Sequence, residues 1–119
     1  MPSNSAKSRR AALPPDATER RLVIVAFPGV TLLDVSGPAQ VFAELADIEL
    51  PRPGYALSYV SKHGGLVPTD VGLMIDTAPM TAIDPREVDT LLIPGGPGIW
   101  KLRQDEALMR WIGQALPDA

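Results

Sequence analysis

Apolar and polar positions along the chain form two kinds of pattern. Residues 21–27 and 90–94 are short, almost continuous apolar runs, which are typical of strands buried on both faces of a parallel sheet. Residues 55–61 predict another strand, which we expect nearer to an edge because serines interrupt it. With helical patterns between these strands, the sequence predicts an α/β fold in which a mainly parallel sheet is flanked by helices.

Two segments, residues 35–46 and 99–116, have apolar residues at helical spacing. Because Pro38 lies inside the first pattern, directly after a glycine, we expect that helix either to begin near Pro38 or to be kinked there. In the second segment Asp105 is the expected N-cap of the main helix, which Pro117 ends.

The remaining chain predicts loops and one small accessory element. Residues 66–69 and 73–76 flank an Asp-Val-Gly turn and predict a β-hairpin. Residues 49–54 contain two prolines and predict a loop, and residues 79–86 predict connecting chain that can include one helical turn. Residues 1–20 are rich in Ser, Ala, Pro and charge, and we expect a disordered tail there.

Composition limits the possible functions. The 119 residues suffice for one small domain, and a net charge of −3 argues against a nucleic-acid-binding surface on this chain. The chain contains no cysteine, which excludes disulfides, thiolate metal sites and a cysteine nucleophile within it. No apolar run approaches the ~20 residues of a membrane span. Without a recognisable secretory signal, the expected location is the cytoplasm.

Candidate chemistry lies where the apolar runs end. Gly95 and Gly96 follow the run 90–94 and precede a helix, so they can offer bare N–H groups to a ligand or simply form a tight connection. Asp34 follows the first run close to the predicted start of a helix. Its carboxylate can cap that helix or, if partly buried, exchange a proton.

Several other polar and aromatic residues favour structural interpretations. His63 lies in a Gly-rich turn without a neighbouring nucleophile, so we expect an exposed side chain. Ser36 is expected to be a capping hydroxyl, and Trp100 and Trp111 are expected to be packing residues. No cluster of His, Asp or Glu has the spacing of metal ligands.

Four short segments occur in a fixed order along the chain: residues 27–30 (Phe-Pro-Gly-Val), 32–38 (Leu-Leu-Asp-Val-Ser-Gly-Pro), 41–42 (Val-Phe) and 93–96 (Ile-Pro-Gly-Gly). Together they resemble the ThiJ/PfpI superfamily, which has a class I glutamine-amidotransferase-like, flavodoxin-like α/β fold. The resemblance covers roughly residues 21–116. The chain is similar to two branches, the amidase-like N-terminal domain of AraC-type transcriptional regulators and isocyanide hydratase, and residues 55–76 are especially similar to the regulator branch.

The resemblance implies roles for three residues. An acidic residue at the place of Asp34 contacts a nucleophilic cysteine, and in isocyanide hydratase it is implied to act as a general acid and base. A backbone N–H of the Gly95-Gly96 turn is implied to contribute to an oxyanion hole. The cysteine of the superfamily follows a later strand. We therefore expect residues 21–119 to be the N-terminal portion of such a domain, incomplete at its C-terminus.

Three functions follow as alternatives. The first is the ligand-sensing domain of an AraC-family regulator, which has no catalytic activity of its own, binds an unknown small molecule and self-associates. Such a protein would contact DNA only through a C-terminal domain absent from this chain. The second is an isocyanide hydratase-like enzyme fragment that lacks its cysteine, with Asp34 as the proton shuttle. The third is an inactive truncated remnant. We expect no cofactor, metal or membrane contact.

Overall fold

The sheet organises the part of the chain that the structure, a computed structural model, describes: residues 19–45 and 54–116. Within these residues five strands form one sheet in the order β3-β4-β2-β1-β5. The elements are β1 (Arg20–Val25), α1 (Leu32–Glu44), β2 (Tyr55–Ser61), β3 (Gly65–Pro68), β4 (Met74–Pro79), β5 (Thr90–Leu92), α2 (Ile99–Gln104) and α3 (Glu106–Ala115). Most of the predicted tail at 1–20, most of the loop at 49–54, and Pro117 lie outside the described residues.

Strand β1 is the centre of the core. It pairs in parallel with β2 on one side and with β5 on the other. Leu22, Val23, Ile24 and Val25 are completely buried because neighbouring strands cover both edges and packed side chains cover both faces. This confirms the predicted α/β fold with a mainly parallel sheet. The predicted hairpin is confirmed as well, since β3 and β4 pair in antiparallel fashion.

The predicted edge position of β2 is wrong. Strand β2 lies in the middle of the sheet, between β1 and β4. Its serines are compatible with burial because distant residues satisfy their hydroxyl groups. Ser58 Oγ accepts a hydrogen bond from Arg21 Nη1 at 3.2 Å, and Ser61 Oγ lies 2.6 Å from Thr77 Oγ1. Buried polar groups with such partners do not carry the cost of an unsatisfied group.

Helix α1 begins earlier than the sequence predicts. It starts at Leu32, with Thr31 as the N-cap residue, and runs through Pro38 to Glu44. The cap that the sequence suggests is also wrong, because Ser36 lies inside the helix with an exposed side chain and Asp34 lies in the first turn. Instead, Asp70 Oδ1 accepts a hydrogen bond from the Leu32 N–H at 3.0 Å. A side chain from the hairpin turn therefore satisfies a free donor of the first helical turn.

The C-terminal helices follow the prediction more closely. Asp105 is the N-cap of α3, and its Oδ1 accepts a hydrogen bond from the Leu108 N–H at 3.1 Å. Trp111 is buried and its Nε1–H donates to the Ile83 carbonyl at 3.2 Å, as expected of a packing residue. Trp100 does not pack as predicted: it is 65% exposed.

Removal of the Ser58 hydroxyl tests the interpretation of the sheet centre. We expect Ser58→Ala to lower the free energy of unfolding by about 1–3 kcal/mol, because a buried guanidinium N–H loses its acceptor. Ser36→Ala is the matched control, and it should change stability by no more than about 0.5 kcal/mol because Ser36 caps nothing. Urea unfolding of both variants measures this. Equal effects would contradict the proposed partnership of Ser58 with Arg21.

Candidate functional site

Two loops meet where the neighbouring parallel strands β1 and β5 end. The loop at residues 26–31 follows β1, and the loop at residues 93–98 follows β5. Their backbones touch directly, since the Thr31 N–H donates to the Gly95 carbonyl at 2.9 Å. The carboxyl ends of parallel strands are the usual location of ligands in open α/β sheets. These contacting loops therefore define the candidate site.

Gly96 is required for this contact. Its φ of 145° is one that residues with a side chain rarely adopt. A Cβ at this position would lie 2.5 Å from the Gly29 carbonyl oxygen and 2.8 Å from the Thr31 nitrogen. Gly98 is equally constrained, because a Cβ there would collide with the Pro28 carbonyl oxygen. The glycine-rich sequence thus lets one backbone lie against the other.

The structure brings the predicted site residues together. Asp34 lies in the first turn of α1, and its Oδ2 accepts a hydrogen bond from the Gly95 N–H at 3.3 Å. Gly96 follows directly in the same turn. The Asp34 side chain is exposed rather than partly buried. Asp34 therefore contacts the glycine turn that follows β5, and its carboxylate lies at the surface.

An open depression of about 300 Å³ lies beside this pair. Leu33 and Ile93, which are 73% and 40% exposed, contribute apolar surface to it. The other lining residues are Asp34, Pro38, Leu92, Pro94 and Gly95. The depression thus combines one carboxylate with exposed apolar side chains, and its volume suits a small ligand.

The hairpin holds the first loop in place. The Gly29 N–H donates to the Pro68 carbonyl, and the Asp70 N–H donates to the Val30 carbonyl, both at 2.9 Å. Together with its bond to Leu32, Asp70 fixes the turn from which Asp34 projects. Sequence reasoning assigned Asp70 only to a β-turn. The one available signal was an acidic residue in an Asp-Val-Gly turn, which does not reveal a helix start 38 residues away.

A second, more enclosed cleft of about 320 Å³ lies at the ends of β1 and β2. Sequence reasoning missed this cleft. His63 is exposed, as predicted, and is one of its lining residues. Lys62 Nζ forms an ion pair with Asp105 Oδ2 at 2.7 Å. The hydrogen bond from Lys62, together with the Leu108 N–H, holds the pKa of Asp105 below its ordinary value.

Two further classes of site can be assessed for the described residues. Across residues 19–45 and 54–116, no group of three or more His, Asp or Glu side chains is arranged to hold a metal ion. In the same residues, no helix has both the length and the apolar character needed to cross a membrane.

Substitution of Gly96 tests the contact between the two loops. We expect Gly96→Ala to destabilise the protein by about 3 kcal/mol, because the added Cβ meets backbone atoms and the φ becomes strained. Gly113→Ala is the matched control, since nothing lies within 4 Å of a Cβ there. Gly113 lies within α3, so this control should stabilise by about 0.5–1 kcal/mol. Thermal unfolding of both variants measures these changes in stability. An unchanged stability of Gly96→Ala would contradict the contact between the two loops.

The sequence and the fold were compared with those of known proteins. No protein-family model matches the sequence. Over 80 residues the chain is 38% identical to a Streptomyces lividans protein described as an uncharacterized protein in the cpoL 5′ region, and the match covers 67% of this chain and 54% of that one. A ThiJ/PfpI family protein from Pseudomonas syringae aligns with a TM-score of 0.70 and 24% identity, over 97% of this chain and 44% of that one.

A regulator structure is similar as well. An AraC family transcriptional regulator from Pseudomonas putida aligns with a TM-score of 0.51 and 20% identity, over 77% of this chain and 61% of that one. The chain therefore spans roughly half the length of the proteins it matches. The strand order and the alignment show that the chain has the α/β fold of the ThiJ/PfpI family structure that it matches.

Proposed function

We propose that the chain is the ligand-sensing, amidase-like portion of an AraC-type transcriptional regulator, and that it binds a small molecule without converting it. Such a protein acts in the cytoplasm and contacts DNA through a domain that is not in this sequence. The structural likeness to an AraC family regulator supports this proposal.

One observation argues for binding rather than catalysis. The Gly95 N–H, one of the two donors of the turn that an oxyanion hole could use, donates to the Asp34 carboxylate at 3.3 Å. A donor engaged by an internal anion cannot also stabilise charge that develops on a substrate. The chain also contains no cysteine to start nucleophilic chemistry. The pair therefore shapes and fixes the two loops beside a ligand-sized depression.

The enzyme related to isocyanide hydratase is the second candidate. The same structure favours it in one respect, because the exposed Asp34 carboxylate lines the depression and can reach a small substrate. A carboxylate in that place can accept and return a proton. Even so, this reading needs a nucleophile that the sequence does not provide.

Turnover measurements and the parent gene separate these candidates. We expect the pure 119-residue chain to show no hydration of an aryl isocyanide and no amidase or peptidase turnover, because it contains no cysteine nucleophile and its Gly95 N–H is engaged by Asp34. Turnover that Asp34→Ala abolishes would contradict the proposal.

In the reading frame downstream of the Ala119 codon, we expect a cysteine turn followed by two helix-turn-helix units. A stop after the cysteine would select the enzyme, and a stop directly after Ala119 would select the remnant.

Self-association is part of the same proposal. In the described chain, the sheet ends in β3 on one side and in β5 on the other, and β5 pairs with β1 alone. Beside it lie the exposed apolar side chains of Leu33 and Ile93. An unpaired strand edge with apolar neighbours favours pairing with another chain. A second copy can therefore cover this edge.

Analytical ultracentrifugation tests the association. We expect the chain to sediment as a dimer or larger species, and Ile93→Asp to shift it toward monomer because a charge is placed in the apolar contact. Leu66→Asp is the control: Leu66 is 65% exposed on β3, at the opposite end of the sheet. A monomeric parent chain that melts in one sharp cooperative transition would contradict the proposal, as would equal effects of the two substitutions.

A further inference from the structure

The cleft at the ends of β1 and β2 is separate from the Asp34 depression, since the two share no lining residue. It lies between the ends of these central strands and the helices α2 and α3. Its volume of about 320 Å³ is within the range of small-molecule sites. The lining residues are Ala26, Phe27, Pro28, Ser61, Lys62, His63, Gly98, Lys101, Leu102, Asp105 and Leu108.

The interior of this cleft is apolar. Phe27, Leu102 and Leu108 contribute side chains that are 4%, 5% and 3% exposed, and Ala26 adds a small buried methyl group. Since these residues belong to the core, the wall is built of well-packed side chains. A ligand placed here removes apolar surface from water, which is worth roughly 25 cal/mol per Å². The body of the ligand is therefore apolar.

Ser61 contributes a hydroxyl to the cleft wall, and this hydroxyl cannot donate to a ligand. The Thr77 hydroxyl donates to the Gly65 carbonyl at 2.7 Å, which uses its single proton. The 2.6 Å contact between Ser61 Oγ and Thr77 Oγ1 must therefore have Ser61 as the donor. Ser61 Oγ also accepts from the Gly64 N–H at 3.0 Å. Side-chain donors for a ligand thus come from the mouth of the cleft, where Lys62, His63 and Lys101 lie.

The two lysines at the mouth differ in whether a carboxylate balances their charge. The ion pair with Asp105 balances the charge of Lys62 at 2.7 Å. Asp105 Oδ1 also accepts from the Leu108 N–H, so each of its carboxylate oxygens has a partner. Lys101 forms no ion pair with any described residue, and it is exposed at the mouth. One uncompensated ammonium group beside an apolar cavity favours a single negative charge on the ligand.

We propose that this cleft binds a small organic acid. The apolar body, one ring or a short branched chain, lies against Phe27 and Leu102, and the carboxylate lies at Lys101 with His63 as an additional donor. This inference rests on the proposed sensing function and deepens it, because it gives the ligand a chemical class and a place away from Asp34 and Gly95.

Titration of the full 119-residue chain with benzoate, followed by amide NMR, tests the proposal. We expect saturable shifts confined to the amides at residues 61–64 and 98–102. Benzamide, which keeps the ring and lacks the charge, and acetate, which keeps the charge and lacks the ring, should each bind at least about tenfold more weakly. Equal binding of benzoate and benzamide would overturn the role of the ammonium group.

Two charge substitutions on the same helix sharpen the test. Lys101→Gln should weaken benzoate at least about fivefold. Arg103→Gln removes the same charge from α2 at a residue that does not line the cleft, and it should leave binding within about twofold. Equal losses would show a long-range charge effect and overturn the site.

Failure of this inference and failure of the proposed function have different signatures. Benzoate, or another small molecule, that shifts amides beside Asp34 and Gly95 instead would overturn the cleft and leave the sensing function standing. Benzoate binding in the cleft of a chain whose gene encodes no DNA-binding region would retain the site and overturn the regulator.

Discussion

The candidate site depends on direct backbone contact between the loops after β1 and β5. Parallel pairing brings the two strand ends side by side, and the Thr31–Gly95 hydrogen bond then joins the loops. A Cβ at Gly96 or Gly98 would occupy the space of main-chain atoms from the opposite loop. Because of this contact, Asp34 and the Gly95 N–H meet although 61 residues separate them. The glycines matter here for close approach more than for flexibility.

The hairpin extends this arrangement to a third part of the chain. Asp70 satisfies the first free N–H of α1, while backbone bonds tie residues 29 and 30 to the turn of the hairpin. The turn that presents Asp34 is therefore held from two sides, by the glycine loop and by the hairpin. A carboxylate on a short exposed turn needs such support if it is to keep one orientation.

Local patterns predicted the parts of this fold that local interactions determine. The continuous apolar run of β1 indicated burial on both faces. The sequence also predicted Asp105 as an N-cap, because the hydrogen bond from the Leu108 N–H to its carboxylate joins residues only three positions apart. Spacing alone left Asp34 and Gly95 open to plain structural roles, and the family resemblance singled out both as candidate site residues. Partners distant in sequence caused the failures. Ser58 and Ser61 suggested an edge strand because they are polar. They are buried in the middle of the sheet because their partners, Arg21 and Thr77, lie on the neighbouring strands.

The pairing of Arg21 with Ser58 has a consequence for how β1 and β2 align. In the observed register Val23 lies opposite Ser58, and the guanidinium reaches the serine hydroxyl from two residues away along β1. A slip of one residue would turn Ser58 to the other face of the sheet and leave a buried cation without its acceptor. Apolar strands as uniform as β1 offer little else to distinguish one alignment from the next. Toward β2, this polar contact therefore distinguishes the observed register of a strand that is otherwise apolar from residue 22 onward.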